Sequence, residues 1–524
     1  MVQPLHQCAT QADAAIRALK RFGPRPLLVE DDKRLTYAET ANLVAQTVSF
    51  LKQSGVQPGD GISMLAGNSS NTVICTLAFW MMGLRYTPLH PLASTDLQSF
   101  VLRHAEISHL IADTAPNFLA RAEALVSQTK TIQCVFTLGD AGAFGRDLVA
   151  GRNASAPTAL RSDDPNPESI AIVAYTGGTT GLPKGVMLSA RACMTGVLSA
   201  LLEWEWPEEV RMLIAAPLSH AAGMMILPTL IRGGSLVLRP NFQPIDFLAT
   251  IERERITTTF GVPTMIYALL DNPKLAHTDL SSLQTFIYGA SSISPTRLQE
   301  ALERIGPVFV QLYGQTEAPN SISVLQKSEH RRGDLGRLAS CGTAVTLTRV
   351  KLLAEDGSEV GRGEVGEICV AGPVVMSGYW RDPEQTRQAL RDGWLRTGDL
   401  GRVDAEGFIT IVDRAKDMVI TGGFNVYPRE VEDALGTYPG VAMSAVIGLP
   451  DNKWGEVLHA IVVPTPGAAL SQDSLTRHVR DRLGPVYAPK SIDFASSLPL
   501  TQLGKLDKKA IKAAFATDSR SAKN

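Results

Sequence analysis

A glycine- and threonine-rich run is the part of the sequence whose residue types point most directly to chemistry. It reads Tyr175-Thr176-Gly177-Gly178-Thr179-Thr180-Gly181-Leu182-Pro183-Lys184-Gly185 and begins at the end of a predicted strand. Backbone N–H groups and threonine hydroxyls in such a loop can surround a phosphate, while the lysine supplies the opposite charge. A Walker A loop would instead have Gly before the lysine and Ser or Thr after it. The alternative is a glycine-rich turn between strands, which eleven such residues in order disfavour.

Alternating strands and helices are predicted to position this loop. Parallel strands joined by crossover helices have this pattern. If the strands lie in one sheet, Thr176, Gly261, Gly289 and Tyr313 mark their carboxyl ends along one edge, where open α/β sheets bind ligands. The predicted strands are residues 170–176, 235–238, 256–260, 284–288 and 307–313.

The carboxy-terminal part of the chain has a different character. After Arg331 the sequence becomes turn-rich, with Gly-containing turns at 355–357 and 404–407, which predicts a small sheet or barrel. From about residue 416 a compact α+β segment follows. We therefore expect an α/β fold with a β-barrel-like subdomain in a large domain, residues 1–414, and a small mobile α+β domain, residues 415–524.

Length and composition exclude several classes of protein. The chain has 524 residues, which is too many for one hydrophobic core. Hydrophobic residues make up 44% and charged residues 19%, as in ordinary globular proteins. The formal net charge is −2 and no large basic cluster is present, so a nucleic-acid partner is not expected.

The cysteines and apolar stretches favour a cytoplasmic protein. The six cysteines show no CxxC pair and no disulfide-framework spacing. The first 23 residues lack a basic segment followed by an apolar one, so we expect no secretion signal. Residues 212–231 are uncharged but are interrupted by Pro217, His220 and Pro228, which predicts a buried loop and helix rather than a transmembrane segment.

Four further motifs, in order along the chain, give the sequence a family resemblance. They are Tyr313-Gly314-Gln315-Thr316-Glu317, Thr397-Gly398-Asp399, Asp413-Arg414-Ala415-Lys416-Asp417 and Leu500-Thr501-Gln502-Leu503-Gly504-Lys505-Leu506. With the glycine-rich loop, they closely resemble the adenylate-forming superfamily, which includes acyl-CoA synthetases, peptide-synthetase adenylation domains and luciferases. The resemblance spans nearly the whole chain and points to the branch of fatty-acyl and aryl-acid CoA ligases.

The resemblance implies an ATP site and assigns roles to its residues. Tyr313 would stack on the adenine, Asp399 would accept the ribose hydroxyls, and Glu317 would bind Mg²⁺ through a hard oxygen ligand. The implied catalytic residues are Lys505, Thr316, Glu317 and His220. The implied ATP-binding residues are Thr176, Gly177, Gly178, Thr179, Thr180, Lys184, Gly289, Ala290, Ser291, Tyr313, Asp399 and Arg414.

In the resembling enzymes a second step forms a thioester with CoA after the small domain rotates. Lys416 stands at the hinge position, where backbone tolerance matters more than side-chain chemistry. Gly422 and Gly423 would let a thin pantetheine arm approach the backbone. The resemblance leaves the oligomeric state open between monomer and homodimer.

Two differences from the resembling enzymes narrow the range of acids that the protein is expected to use. The segment at 217–224 lacks the Asp that pairs an amino-acid ammonium, and Gly314 stands where acetyl-CoA synthetases carry Trp. We therefore expect an acid larger than acetate, either a medium- or long-chain fatty acid or an aromatic acid. The residues implied to line its pocket are His220, Ala221, Gly223, Met224, Gly314 and Asn320.

Two alternatives stay open at this stage. The protein could stop at the adenylate and load a carrier protein or another acceptor, although Gly422 and Gly423 favour a free thiol. It could also be a catalytically silent nucleotide-binding protein, which would be expected to have lost Lys184, Glu317, Asp399 or Lys505. All four residues are present.

Overall fold

The computed structural model describes residues 10–176, 183–415, 417–451, 453–501 and 506–521. Within these residues the chain forms helices and strands throughout its length. The helices are α1 Gln11–Arg21, α2 Tyr37–Gln53, α3 Ser70–Met82, α4 Thr95–His104, α5 Pro116–Gln128, α6 Leu148–Ala154, α7 Ala190–Glu203, α8 Ile226–Ile231, α9 Pro244–Arg253, α10 Pro263–Leu270, α11 Pro295–Arg304, α12 Leu335–Ala339, α13 Pro383–Ala389, α14 Pro428–Gly436, α15 Gln472–Leu483 and α16 Lys508–Ser521. Short 3-10 helices cover Ala221–Met225, Pro273–His277, Lys327–Glu329 and Pro485–Tyr487.

The strands are distributed over four sheets. They are β1 Pro26–Glu30, β2 Lys33–Thr36, β3 Gly61–Leu65, β4 Arg85–Pro88, β5 His109–Ala112, β6 Cys134–Thr137, β7 Arg146–Asp147, β8 Ile170–Thr176, β9 Lys184–Ser189, β10 Arg211–Ile214, β11 Ser235–Leu238, β12 Thr258–Gly261, β13 Thr285–Tyr288, β14 Phe309–Gln315, β15 Ala318–Leu325, β16 Thr343–Ala344, β17 Arg349–Leu353, β18 Gly366–Ala371, β19 Gly378–Tyr379, β20 Leu390–Arg391, β21 Trp394–Val403, β22 Ile409–Arg414, β23 Val419–Thr421, β24 Phe424–Val426, β25 Val441–Asp451, β26 Gly455–Pro464 and β27 Ser491–Phe494.

Two large sheets form the amino-terminal body. The first has the order β16-β15-β14-β13-β12-β10-β11-β1-β2, and the second has the order β19-β9-β8-β4-β3-β5-β6-β7. The pairings from β1 through β11, β10, β12 and β13 to β14 are parallel. One buried cluster joins residues of both sheets with α3, including Met64, Phe79, Leu213 and Phe286. Burial of apolar surface between sheets and helices is therefore what holds this body together.

The predicted strands are largely confirmed, but the expectation of a single edge was wrong. Gly261 ends β12, Gly289 follows β13, and Tyr313 lies near the end of β14, all in the first sheet. Thr176 ends β8, which belongs to the second sheet, because β8 pairs with β4 in parallel and with β9 in antiparallel orientation. These pairings join segments far apart in sequence, which local residue patterns do not specify.

The turn-rich region forms a small antiparallel sheet. Its order is β17-β18-β21-β20, and β22 pairs with the other side of β21. Its core includes Ile368, Val370 and Leu395 and also buries Tyr313 from the first large sheet. This packing places the end of β14 beside β21 and β22, so residues far apart in sequence can meet there.

A fourth sheet carries the carboxy-terminal domain. Its order is β24-β23-β26-β25, with β27 beside β26, and α14 and α15 cover its core. Helix α14 begins at Pro428, at the position where a proline is tolerated in a helix. Helix α14 lies against the body: Arg429 donates to the carbonyl of Ile293 over 3.0 Å, and Arg402 pairs with Glu430 over 2.6 Å. The boundary at 414–415 stays a prediction.

The stretch at residues 212–231 folds mostly as part of β10, a 3-10 helix and the short α8. Within the described ranges, no helix combines the length and apolarity needed to cross a membrane.

Candidate active site

The two ends of the glycine-rich loop are held together by strand pairing. Thr176 at the end of β8 lies opposite Lys184 at the start of β9 in an antiparallel ladder. A Cβ added at Gly185 would lie 3.0 Å from the Tyr175 ring and 3.1 Å from Trp380 Cβ, so this glycine allows close packing. The predicted phosphate-contacting residues Gly177, Gly178, Thr179 and Thr180 lie outside the described residues.

Lys184 and Glu317 are connected through a tyrosine that sequence reasoning missed. The Lys184 ammonium lies 5.1 Å from the centroid of the Tyr379 ring. The Tyr379 hydroxyl donates to Glu317 Oε1 over 2.9 Å, and both residues are buried. Burial, together with the charge of Glu317, raises the pKa of Tyr379, so the phenol stays a donor. Tyr379 therefore fixes the carboxylate predicted to bind a metal.

A second contact chain joins the adenine, ribose and hinge motifs. The Tyr313 hydroxyl donates to Asp399 Oδ2 over 2.7 Å, and Arg414 Nε lies 2.7 Å from Asp399 Oδ1. Asp399 and Arg414 are cross-strand partners on β21 and β22. The negative charge of Asp399 is the largest influence on the pKa of Arg414 and raises it, and the charge of Glu317 also raises it. The two chains are therefore close enough to interact electrostatically.

Backbone strain marks the segment after β13. A Cβ at Gly289 would lie 2.5 Å from the carbonyl oxygen of Leu312, so only glycine fits there. Ala290 has a positive φ of 69°, which is unfavourable for a residue with a Cβ. Such strain is typical of functional sites. Ser291 follows and is partly exposed, so this segment can form the wall predicted for it.

The β14–β15 hairpin carries Thr316 and Glu317 in its turn. A Cβ at Gly314 would lie 2.4 Å from the backbone nitrogen of Asn320, so Gly314 allows the hairpin to close. Asn320 has a positive φ of 48°. The sequence predicted that Gly314 leaves space for the acid, and the structure adds this steric requirement within the hairpin.

The residues predicted to bind the acid meet around Met224. His220 precedes the 3-10 helix that contains Ala221, Gly223 and Met224. The Asn320 side-chain amide lies 3.1 Å from Met224 Sδ, which joins this helix to the hairpin. Met224 is flexible and polarizable, so this wall can adapt to different apolar groups.

His220 has an aromatic neighbour that no sequence motif indicates. The His90 ring, in the loop after β4, packs edge-on against the His220 ring with centroids 4.4 Å apart. Ser219 Oγ lies 2.9 Å from His220 Nδ1. His90 lies 130 positions from His220 and belongs to no motif, so only the fold brings these two rings together.

The glycines predicted to contact CoA form a tight hairpin. Gly422 and Gly423 connect β23 and β24 with φ values of 59° and 83°. Gly422 donates its N–H to the Trp454 carbonyl over 2.8 Å, and a Cβ there would lie 2.7 Å from the Trp454 ring. Trp454 and Phe424 are both exposed. Lys416 and Lys505, the predicted hinge and catalytic residues, lie outside the described residues.

The described residues contain no group of three or more His, Cys, Asp or Glu side chains arranged to bind a metal. Glu317 nevertheless suits Mg²⁺, because its buried carboxylate supplies a hard oxygen and phosphate oxygens can complete the shell.

Comparison with known proteins agrees with this arrangement. The family model described as AMP-binding enzyme matches residues 16–380, and the model of the AMP-binding enzyme C-terminal domain matches residues 430–505. The chain belongs to the AMP-binding enzyme family. The predicted membership of the adenylate-forming superfamily is therefore confirmed.

Several members of the AMP-binding enzyme family are similar over nearly their whole length. A medium/long-chain-fatty-acid–CoA ligase of Mycobacterium tuberculosis is 44% identical over 95% of this chain and 89% of its own length. A feruloyl-CoA synthase of an Amycolatopsis species is 38% identical over 92% of this chain and 94% of its own. The solved amide bond synthetase of Marinactinospora thermotolerans superposes with a TM-score of 0.89 at 35% identity, covering 96% of this chain and all of that one. The predicted α/β fold with a separate carboxy-terminal domain is confirmed.

Proposed function

We propose that this protein is an ATP-dependent acid–CoA ligase that activates a carboxylic acid larger than acetate. The main support for this proposal is a pair of contact chains, Lys184–Tyr379–Glu317 and Tyr313–Asp399–Arg414. They bring together motif residues from separate parts of a chain that belongs to the AMP-binding enzyme family. The two CoA ligases described above support the choice of thiol acceptor.

In the first step a carboxylate oxygen of the acid attacks the α-phosphorus of ATP. An O–P bond forms as the bond to pyrophosphate breaks, which gives an acyl-adenylate. The reactants are both anionic, so cations near the phosphates lower the barrier. Lys184 and Lys505 would supply this charge, and Thr316 would donate its hydroxyl to the α-phosphate. Mg²⁺ held by Glu317 would further neutralise the phosphate oxygens.

Tyr379 and Asp399 would position the groups that contact ATP. Tyr379 holds Glu317 by a 2.9 Å hydrogen bond in a buried setting. Asp399 is held between Tyr313 and Arg414, so ribose hydroxyls would share its carboxylate with these partners. Prior fixation of these groups reduces the reorganisation needed in the transition state.

In the second step the thiol sulfur of CoA attacks the acyl carbonyl and AMP leaves. A C–S bond forms as the C–O bond to the phosphate breaks, and the thiol proton is released to water. We propose that the Gly422–Gly423 hairpin admits the pantetheine arm, because no atom beyond the chain neighbours lies within 4 Å of the position that a Cβ would occupy at Gly423. Lys416 would absorb the domain rotation between the two steps.

The acid pocket around His220 and Met224 favours an apolar acid with some variation in shape. Met224 contacts the Asn320 amide and lies near Gly196 of α7, and its flexible, polarizable thioether suits apolar groups of different shape. Both a medium- or long-chain fatty acid and an aromatic acid such as a hydroxycinnamic acid fit this description, in line with the two CoA-ligase relatives.

A first experiment separates the two steps. Acid-dependent ATP–pyrophosphate exchange without CoA measures adenylate formation, and AMP release with CoA measures the whole reaction. The test acids are hexanoate, decanoate, palmitate, benzoate, 4-coumarate and ferulate. Exchange without any thioester product would favour another acceptor, and no exchange with ATP bound would favour a silent nucleotide-binding protein.

The variant Lys505→Ala tests whether Lys505 supplies positive charge during adenylate formation. We expect exchange to fall by at least about 100-fold, because removal of one group that stabilises developing charge costs this much. Lys509→Ala is the control, since it removes a neighbouring lysine outside the motif. Full exchange activity in Lys505→Ala would contradict the role given to this residue.

A further inference from the structure

An apolar groove with a cationic border lies on the surface between α1 and α7. Its volume is about 450 Å³, and its walls include Arg17, Arg191, Met194, Leu198, Leu201 and Ile231. None of these residues belongs to the candidate active site. A volume of this size lies within the range of sites that bind small molecules or alkyl chains.

The apolar side of the groove is unusually exposed. Leu198 is 46% exposed and Leu202 is 64% exposed on the same helix, α7. Residues 191, 195, 198 and 202 recur at the spacing of one helical face. From Arg191 to Leu201 this wall extends about 15 Å. This face leaves large side chains in water that a partner of apolar character would cover.

The other side of the groove is basic. Arg17, Lys20 and Arg21 lie on the exposed face of α1. Among the described residues, no carboxylate lies within ion-pair distance of Arg17. Asp13 is the one carboxylate on α1, beside three cations, and accepts from the neutral Thr10 hydroxyl over 2.8 Å. Glu168 pairs with Arg191 over 2.8 Å. The cations of α1 therefore favour an anionic partner.

We propose that the α1–α7 groove docks the protein onto a membrane surface rich in anionic lipids. Leu198 and Leu202 would enter the interface, one acyl chain would lie in the groove, and the cations of α1 would contact lipid phosphates. Basic residues beside exposed leucines are the pattern by which peripheral proteins bind such surfaces. A second copy of this chain fits less well, because a two-fold contact would bring the cationic α1 near its own copy.

Vesicle flotation tests this proposal with the full-length protein. We expect it to float with phosphatidylcholine vesicles that contain about one-third phosphatidylglycerol, and not with phosphatidylcholine alone. Added salt should weaken this binding, because it screens the charges at the surface. Equal binding to both vesicles, or no binding to either, overturns the proposal.

Two double variants test whether the α1–α7 groove is the surface that binds the vesicles. Arg17→Glu with Lys20→Glu should lower the partitioning of the protein onto the anionic vesicles at least about fivefold for each cation removed. Leu198→Gln with Leu202→Gln should lower it about tenfold, since burial of leucine side chains is lost. The matched controls are Arg103→Glu and Ile245→Gln, which alter exposed residues elsewhere on the surface.

Thermal unfolding and light scattering complete the test. All four variants should melt near the wild-type temperature, because the changed side chains are exposed. Unaltered flotation of both double variants would refute the assignment of this face. If light scattering finds a dimer that the leucine variant dissociates, the face is a subunit interface and the membrane proposal fails.

Discussion

Tyr379 connects two charged residues whose separation in sequence exceeds 130 positions. Tyr379→Phe keeps the ring below Lys184 but removes the hydrogen bond to the buried carboxylate of Glu317. We expect exchange to fall about tenfold, because a hydrogen bond to a charged group contributes about 1.5–3 kcal/mol. Initial rates over a range of Mg-ATP concentrations measure the effect.

The control for this change is Tyr438→Phe, which removes a hydroxyl in the carboxy-terminal domain, outside the motifs. Its exchange rate should equal that of the wild type. Equal rates for Tyr379→Phe and the wild type would show that Glu317 does not depend on this contact.

His330 makes stability depend on pH through a single buried ring. Burial lowers the pKa of His330 to about 4, and its Nδ1 lies 2.8 Å from the Gln326 carbonyl. The unfolded chain, with a histidine pKa of about 6.5, binds a proton first as the pH falls. The contribution of the neutral ring to the free energy of unfolding is therefore fully present above pH 6.5 and is lost as the pH falls toward 4. By pH 5 about 2 kcal/mol of this contribution is lost.

Chemical unfolding at pH 7 and pH 5 tests this dependence. Between pH 7 and pH 5 the free energy of unfolding should decrease in the wild type because of His330. The decrease should be about 2 kcal/mol smaller in His330→Gln. His277→Gln, at an exposed position, should keep the wild-type dependence. The same pH dependence in His330→Gln and the wild type would contradict the neutral state of the buried ring.

At the scale of elements, the β14–β15 hairpin depends on one glycine. Gly314→Ala would place a Cβ 2.4 Å from the Asn320 nitrogen, where backbone must move. We expect a loss of about 1–3 kcal/mol in unfolding free energy and a marked loss of exchange, because the turn carries Thr316 and Glu317. Thermal and chemical unfolding, together with exchange rates, measure both effects.

Gly336→Ala, in α12, is the matched control for the hairpin. Its added Cβ would lie 3.5 Å from Asp334 Oδ1, which is ordinary van der Waals contact. We expect unfolding free energy to change by less than about 1 kcal/mol, since Gly to Ala in a helix is favourable. If Gly314→Ala were as stable and active as this control, the hairpin would tolerate the shift.

Elements with strong local signals could be predicted from the sequence. The strands at 170–176 and 235–238 have the expected bounds. Sheet membership could not be predicted, because the partners of β8 come from β4 and β9. The same limit hid Tyr379, whose strand β19 pairs with β9 across 190 residues.

The motif residues themselves could be assigned by resemblance, but their contacts could not. Asp399 and Arg414 belong to separate motifs, and only the antiparallel pairing of β21 and β22 places them opposite each other. The pair Asn320 and Met224 depends likewise on how the hairpin packs against a 3-10 helix. Such contacts arise from tertiary packing rather than from local propensity.

At the scale of the whole molecule, polar contacts hold α14 on the body. Arg402 and Glu430 form one of them, with a separation of 2.6 Å. If the carboxy-terminal domain rotates between the two steps, this pair exists in only one arrangement. Arg402→Glu should then change the ratio of exchange rate to thioester rate by up to about fivefold, which is what a partly exposed ion pair contributes.

Charge reversal provides the control for this pair. Glu430→Arg alone should shift the ratio in the same direction as Arg402→Glu, and the double variant should restore it. Quenched-flow measurement of adenylate and thioester formation gives both rates. Equal reduction of the two rates would indicate a loss of folded enzyme rather than a change in domain arrangement.

The place of β1 in the first large sheet has a consequence for synthesis in the cell. Leu28 and Val29 on β1 pair with Leu236 and Val237 on β11, so the strand has no native neighbour on that side until about 200 more residues have been translated. At about 5–20 residues per second this delay is about 10–40 s. During that time a largely apolar strand remains available to chaperones that bind nascent chains, and expression at low temperature or with added chaperones should raise the yield of native enzyme.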